Sequence, residues 1–113
     1  MHELSIVQNI VEIAQEQVLK ARAEKVDQID LEIGDLAGIE MDAFLFAWDS
    51  AVPDTVLSTA KRKIHKVEAK AKCNECGCEF RMVQLYDPCP DCGACFSDLL
   101  SGKELKLRSL VVS

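Results

Sequence analysis

No stretch of this chain approaches the ~20 consecutive apolar residues of a membrane-spanning helix, so no transmembrane segment is expected. The opening Met1-His2-Glu3-Leu4-Ser5 has neither the basic n-region nor the apolar h-region of an export signal. The expected compartment is therefore the cytoplasm. Bases are scarce: 13 Lys and Arg against 19 Asp and Glu leave a formal charge of −6. A small acidic protein is ill suited to gripping a phosphate backbone, which argues against general nucleic-acid binding. Internal repeats, long linkers and low-complexity tracts are missing. So are a phosphate-cradling loop and a nucleophile–base pair, and nothing in the motifs points to an enzyme. Histidine is confined to His2 and His65, the latter read as an exposed strand residue.

What is present suits one domain, or one domain with a small appendage, in 113 residues that are 49% hydrophobic. Leu4, Val7, Ile10, Val11, Ala14, Val18 and Ala21 recur at helical spacing and predict an amphipathic helix over 4–23, with Ser5 and Gln8 as its capping box. Alternation over 27–33 predicts a half-buried strand that ends at Gly34. Asp27, Asp30, Glu32 and Asp35 near this strand either steer a basic partner or form a solvated face. Asp42 is the expected cap of a second helix over about 42–51, with Phe44, Leu45, Ala47 and Trp48 facing inward. Pro53-Asp54 ends it, and a helical turn follows near 54–60. Residues 63–72 and 104–112 alternate as strands, the former with a bulge between Ile64 and Val67. These two strands are expected to pair, so that both ends of the segment between them leave from one place. The fold class is α+β: two main helices on a three-stranded sheet, with an inserted segment.

That segment holds all six cysteines, Cys73, Cys76, Cys78, Cys89, Cys92 and Cys95. Without an export signal, clustered paired cysteines indicate metal rather than disulfides. Cys73-x-x-Cys76-Gly77 and Cys89-Pro90-x-Cys92-Gly93 form two knuckles, each followed by a glycine that permits positive φ. Four thiolates in a tetrahedron suit Zn(II) and leave no open position, so such a site is structural. Cys-Pro-x-Cys-Gly also resembles a rubredoxin iron centre, but rubredoxin is a whole fold around one iron and carries no large N-terminal domain. Cys78 and Cys95 are surplus: inert thiols, exchange ligands, or a disulfide pair. Residues 73–102 carry −4 with thiols neutral, Arg81 being their only base, and the remainder carries −2. The insertion is not a basic nucleic-acid finger.

The α-amine of Met1, the amide nitrogen of His2 and its Nδ1 can close two fused chelate rings on one ion. Such a donor set suits square-planar Ni(II) or Cu(II) far better than Zn(II). Spacing alone favours the plainer reading of these residues, a frayed start before a helix.

Met1-His2-Glu3-Leu4-Ser5-Ile6 with its amphipathic helix, Ile33-Gly34-Asp35-Leu36-Ala37-Gly38-Ile39, the double knuckle, and Ser101-Gly102-Lys103-Glu104-Leu105-Lys106-Leu107-Arg108-Ser109-Leu110 together resemble the HypA/HybF family. These are nickel-insertion accessory proteins of nickel–iron hydrogenase, and the resemblance spans essentially the whole chain. It implies a nickel-binding α/β domain over 1–72 plus 103–113 and a zinc-ribbon insertion over 73–102. It implies Ni(II) as transferred cargo at Met1, His2, Glu3 and Glu40, and structural Zn(II) at Cys73, Cys76, Cys89 and Cys92. Glu40 reads also as the N-terminal charge of the second helix. The implied partners are a HypB-like hydrogenase-maturation GTPase and the hydrogenase large-subunit precursor, with no nucleic acid and no membrane. A homodimer by exchange of ribbon segments stays open. The ribbon departs from some relatives in having no histidine beside its knuckles, which puts histidine-based pH coupling in doubt. The competing account is a zinc-ribbon protein-interaction module that delivers no nickel.

Overall fold

A computed structural model describes residues 2–113. The elements are α1 (His2–Lys20), β1 (Val26–Gly34), α2 (Met41–Ala51), β2 (Lys61–Val67), β3 (Lys70–Cys73), β4 (Glu79–Arg81), β5 (Ser97–Ser101) and β6 (Leu105–Val112). They form two three-stranded sheets, ordered β2-β1-β6 and β4-β3-β5. The α+β class, the two helices and the cysteine segment among strands are as expected. The chain divides into two compact units. One comprises Met1–Leu31, Ile39–Ile64 and Leu107–Ser113, the other Glu32–Gly38 and His65–Lys106.

In the first unit, Val7, Ile10, Val11, Ala14 and Val18 make the buried stripe of α1. Their helical spacing is why this segment is a helix rather than a strand. Leu4 and Ala21, expected on that stripe, are exposed, and Glu3 is buried instead. The helix starts at His2, so Ser5 lies inside it and forms no capping box. It closes at Lys20 through Ala23 N–H to Val18 O and Arg22 N–H to Leu19 O, with Arg22 left-handed at φ +54. This is a Schellman turn built without glycine, which is why the helical pattern overran the true end. Phe44, Ala47 and Trp48 of α2 are buried, with the Phe44 and Trp48 rings 6.1 Å apart and the Arg62 guanidinium 5.5 Å over Trp48. Val26, Ile29 and Leu31 of β1 complete this core. After α2, the 54–60 segment is a run of turns: Thr55, Ser58 and Ala60 each bond the carbonyl three residues back.

Two strand expectations need correction. The 63–72 strand is two strands, β2 and β3, in different sheets, and β2 runs unbroken past Ile64. The break falls at Glu68 and Ala69, whose carbonyls are taken by Ser101 Oγ and Met82 N–H, so no single ladder can pass through. The irregularity of register lies further on, between Lys70 and Ala71 against β5. Nor do the flanking strands pair: β1 lies between β2 and β6, and β3 pairs antiparallel with β4 and β5.

The second unit has a small core of Ala69, Ala71 and Met82, with Leu36, Phe80 and Leu99 packed on it. Two glycines are needed where its segments cross. A Cβ on Gly34 would lie 2.1 Å from Gly102 O, and one on Gly102 would lie 2.5 Å from the Ala69 Cβ.

Candidate functional site

Each knuckle is closed by the same pair of backbone bonds. Cys73 N–H donates to Cys78 O and Gly77 N–H to Cys73 O, while Cys89 N–H donates to Ala94 O and Gly93 N–H to Cys89 O. Gly77 and Gly93 sit at φ +76 and +75, with open space where a Cβ would stand, so conformation alone selects glycine there. By these bonds Cys78 corresponds to Ala94, which leaves Cys95 one residue beyond the equivalent point of its knuckle.

The two knuckles bring Cys73, Cys76, Cys89 and Cys92 together with sulfurs all within 4.8 Å of one another. Cys73 and Cys92 sulfurs are 3.5 Å apart, and Cys76 and Cys89 sulfurs 3.6 Å. Tetrahedral Zn–S bonds of about 2.3 Å set sulfurs roughly 3.8 Å apart, so this cage fits a four-thiolate zinc. All six cysteines are free of disulfides. Cys73 and Cys89 are buried, Cys76 and Cys92 exposed.

Protons are shared unevenly in the cage. The Cys76 amide is the main influence on Cys73 and, with the Glu75 amide, lowers this thiol to about 7 against the effect of burial. The Cys92 and Asp91 amides likewise lower Cys89. Cys92 goes up to about 12: the Ala94 amide lowers it, but the Cys73 sulfur, burial and the other two sulfurs outweigh that. The surplus Cys78 stands apart from the cage, and the Asp91 carboxylate beside it, followed by burial, raises its thiol to about 11. Metal binding must therefore expel protons, so affinity falls as pH falls. Across the ladder from Cys73 is Ser97, whose hydroxyl is buried without a hydrogen-bond partner among the described residues.

The second group of interest is at the start of α1. His2 Nε2 lies 3.5 Å from Glu3 Oε2, and the same Glu3 oxygen accepts from Glu40 N–H at 3.4 Å. Its own backbone amide, then that of Glu40 and the His2 side chain, hold the Glu3 carboxyl below its ordinary range despite burial. Glu40 is the cap of α2, in place of the expected Asp42. Its carboxylate accepts from Ala43 N–H at 2.8 Å and Asp42 N–H at 3.4 Å. His2, Glu3 and Glu40 are thus neighbours, but the Glu40 carboxylate is turned to helix amides. Met1 lies outside the described residues. Glu40→Ala should lower stability by about 1 kcal/mol in a denaturant titration, and Glu40→Asp, which keeps a capping oxygen, should restore most of it.

Sequence periodicity does not show the buried Glu3, the Ser97 hydroxyl or the placement of Asp91 beside Cys78. The acids on and just after β1 have partners: Asp27 with Ser113 Oγ at 3.1 Å, Asp30 with Gln28 at 2.8 Å, Glu32 with Lys106 at 3.4 Å and Asp35 with Arg81 at 4.0 Å. Arg81 also meets Glu68 at 3.8 Å, so the one base of 73–102 is engaged by carboxylates. Among the described residues no helix is long and apolar enough to cross a membrane.

The profile of a family described as "Hydrogenase/urease nickel incorporation, metallochaperone, hypA" matches residues 1–112. The chain belongs to this family. It is 41% identical over 112 residues to a hydrogenase maturation factor HypA of Parabacteroides distasonis, covering 99% of this chain and 97% of that one. It is 42% identical over 112 residues to a HypA of Geotalea uraniireducens, covering 99% of each. The solution structure of the Ni metallochaperone HypA from Helicobacter pylori shares the fold at a TM-score of 0.66 and 23% identity, over 97% of this chain and 96% of that one. Another HypA solution structure gives a TM-score of 0.71 at 23% identity, over 100% of this chain and 97% of that one. These HypA relatives are named as maturation factors or a metallochaperone, not as enzymes.

Proposed function

We propose that this HypA-family chain binds Ni(II) at the His2 end of α1 and gives it up for assembly of the nickel–iron hydrogenase site. Structural Zn(II) is held by Cys73, Cys76, Cys89 and Cys92. In this reading residues 73–102 are the zinc ribbon, and 1–72 with 103–113 are the nickel-binding domain. The observation that carries it is the family match over 1–112, which takes in both the Met1-His2-Glu3 opening and the double knuckle.

The chain's own chemistry supports the division. Soft thiolates are gathered in one cage, and nitrogen and carboxylate donors at another place. His2 is the first residue of α1, and the first four amides of a helix have no intrahelical acceptor. Deprotonating the His2 amide for a metal therefore breaks no helix bond. With the Met1 amine and His2 Nδ1 it forms a planar donor set that disfavours Zn(II) by geometry. Glu3 is the nearer carboxylate, held close by the Glu40 amide. Glu40 joins the metal only by releasing the cap of α2. Because amine, amide and imidazole all lose protons on binding, nickel affinity falls as pH falls. The maturation machinery it serves comprises a HypB-like GTPase and the hydrogenase large-subunit precursor, in the cytoplasm.

The test is calorimetric titration of Ni(II) into zinc-loaded chain with a native N-terminus, beside His2→Ala and an N-terminally extended form. One nickel per native chain is expected, lost in both variants while zinc is retained. Equal nickel binding by all three would leave the zinc-ribbon interaction module as the better account.

A further inference from the structure

Ser97 is the first residue of β5 and stands directly opposite Cys73 on β3. Directly opposed residues of an antiparallel pair share a face, with Cβ atoms roughly 4.5–5.5 Å apart. The face here is the inner one, since the next pair on that side, Ala71 and Leu99, belongs to the core of the unit. The Ser97 hydroxyl is buried there and has no hydrogen-bond partner among the described residues. A buried hydroxyl left unpaired is a net cost to the fold, and each such group calls for a reason.

The reason lies in what happens to the sulfur across the ladder. With its proton, Cys73 can be donor or acceptor toward the Cys92 sulfur 3.5 Å away. As a metal ligand it carries no proton and is an acceptor only. Four thiolates around a divalent cation leave two excess negative charges on the sulfurs, and donors near them steady that charge. Cys73 already accepts the Glu75 amide at 3.4 Å. We propose that the Ser97 hydroxyl donates to the Cys73 sulfur of the metal-loaded cage. Ser97 is then a positioning residue: it touches a ligand, not the ion, and fixes the inner sulfur of the first knuckle. The inference rests on the four-thiolate reading of the site.

The full chain tests it, as native, Ser97→Ala and Ser97→Thr, each loaded with Zn(II) or with Co(II) as a spectroscopic substitute. In competition with a chromophoric chelator, Ser97→Ala should hold zinc about tenfold less tightly, the low end for loss of an outer partner of a ligand. Its cobalt thiolate charge-transfer band should shift, because one sulfur has lost a donor. Ser97→Thr, which keeps the hydroxyl, should restore both. Unchanged affinity and band in Ser97→Ala would overturn the role of Ser97 while leaving the cage intact. Equal loss in Ala and Thr would overturn it too, by showing that packing and not the hydroxyl matters. A native chain whose cobalt spectrum is not tetrahedral would sink the four-thiolate reading itself, and this inference with it.

Discussion

Stripping zinc from the chain with a strong chelator at neutral pH should melt the segment from Lys70 to Ser101 while α1 keeps its helical signal. The expectation follows from size. The core of that unit is Ala69, Ala71 and Met82 with three partly buried neighbours, too little apolar surface to hold β3, β4 and β5 unaided. A structural zinc contributes roughly 10–16 kcal/mol of binding free energy near pH 7 in small metal-nucleated domains, which dwarfs that core. Cys76→Ser should act like the chelator, since it removes one of four ligands. Cys78→Ser should retain zinc and dispersed amide signals, because Cys78 lies outside the cage. Zinc content and a two-dimensional amide spectrum of each form distinguish the cases. Folded, zinc-loaded Cys76→Ser would contradict the assignment. Lowering the pH should release zinc as the chelator does, because protons compete with the ion for all four sulfurs.

The other large effect expected is at a glycine that is not part of the cysteine cage. Gly34→Ala should lower stability by about 3 kcal/mol or more, roughly 10 °C or more in Tm. The added Cβ would sit 2.1 Å from Gly102 O and 2.2 Å from Gly102 C, and backbone atoms cannot rotate away. The neighbourhood is also tied on both sides: Gly34 N–H donates to Glu104 O at 2.7 Å and Leu36 N–H to Gly102 O at 2.7 Å. Gly38→Ala makes the comparison. Its Cβ meets nothing within 4 Å, so only the φ of +77 resists it, at about 1 kcal/mol. Thermal unfolding of both variants would separate crowding from conformation. Equal shifts would mean that the crossing of the two segments yields easily.

Much of this was legible from residues alone, for identifiable reasons. The knuckles announce themselves because ligand type, spacing and a following glycine all express one local geometry. The stripes of α1 and α2 announce themselves because burial imposes a 3.6-residue period. What stayed hidden depends on partners distant in the chain. Alternation over 63–72 marks extended backbone but not which strand lies alongside, so the split into β2 and β3 could not be read. Glu40 caps α2 although Asp42 is the commoner capping residue, because the cap falls where the chain leaves its extended approach at φ −82, ψ 113. Glu3 is an acid in the first turn of a helix, ordinarily a solvent-facing group. Its burial is intelligible only with the Glu40 amide in place, 37 positions later.

The alternation of hidden and open cysteines gives the cage two unlike sides. Cys73 and Cys89, at the roots of their knuckles, face inward; Cys76 and Cys92, at the far ends, face solvent. An electrophile, oxidant or competing chelator diffusing up to the protein meets Cys76 and Cys92 before the other pair. Attack on the cage is then expected to begin from one side: the outer sulfurs form a door, and the inner ones the hinge on which it swings.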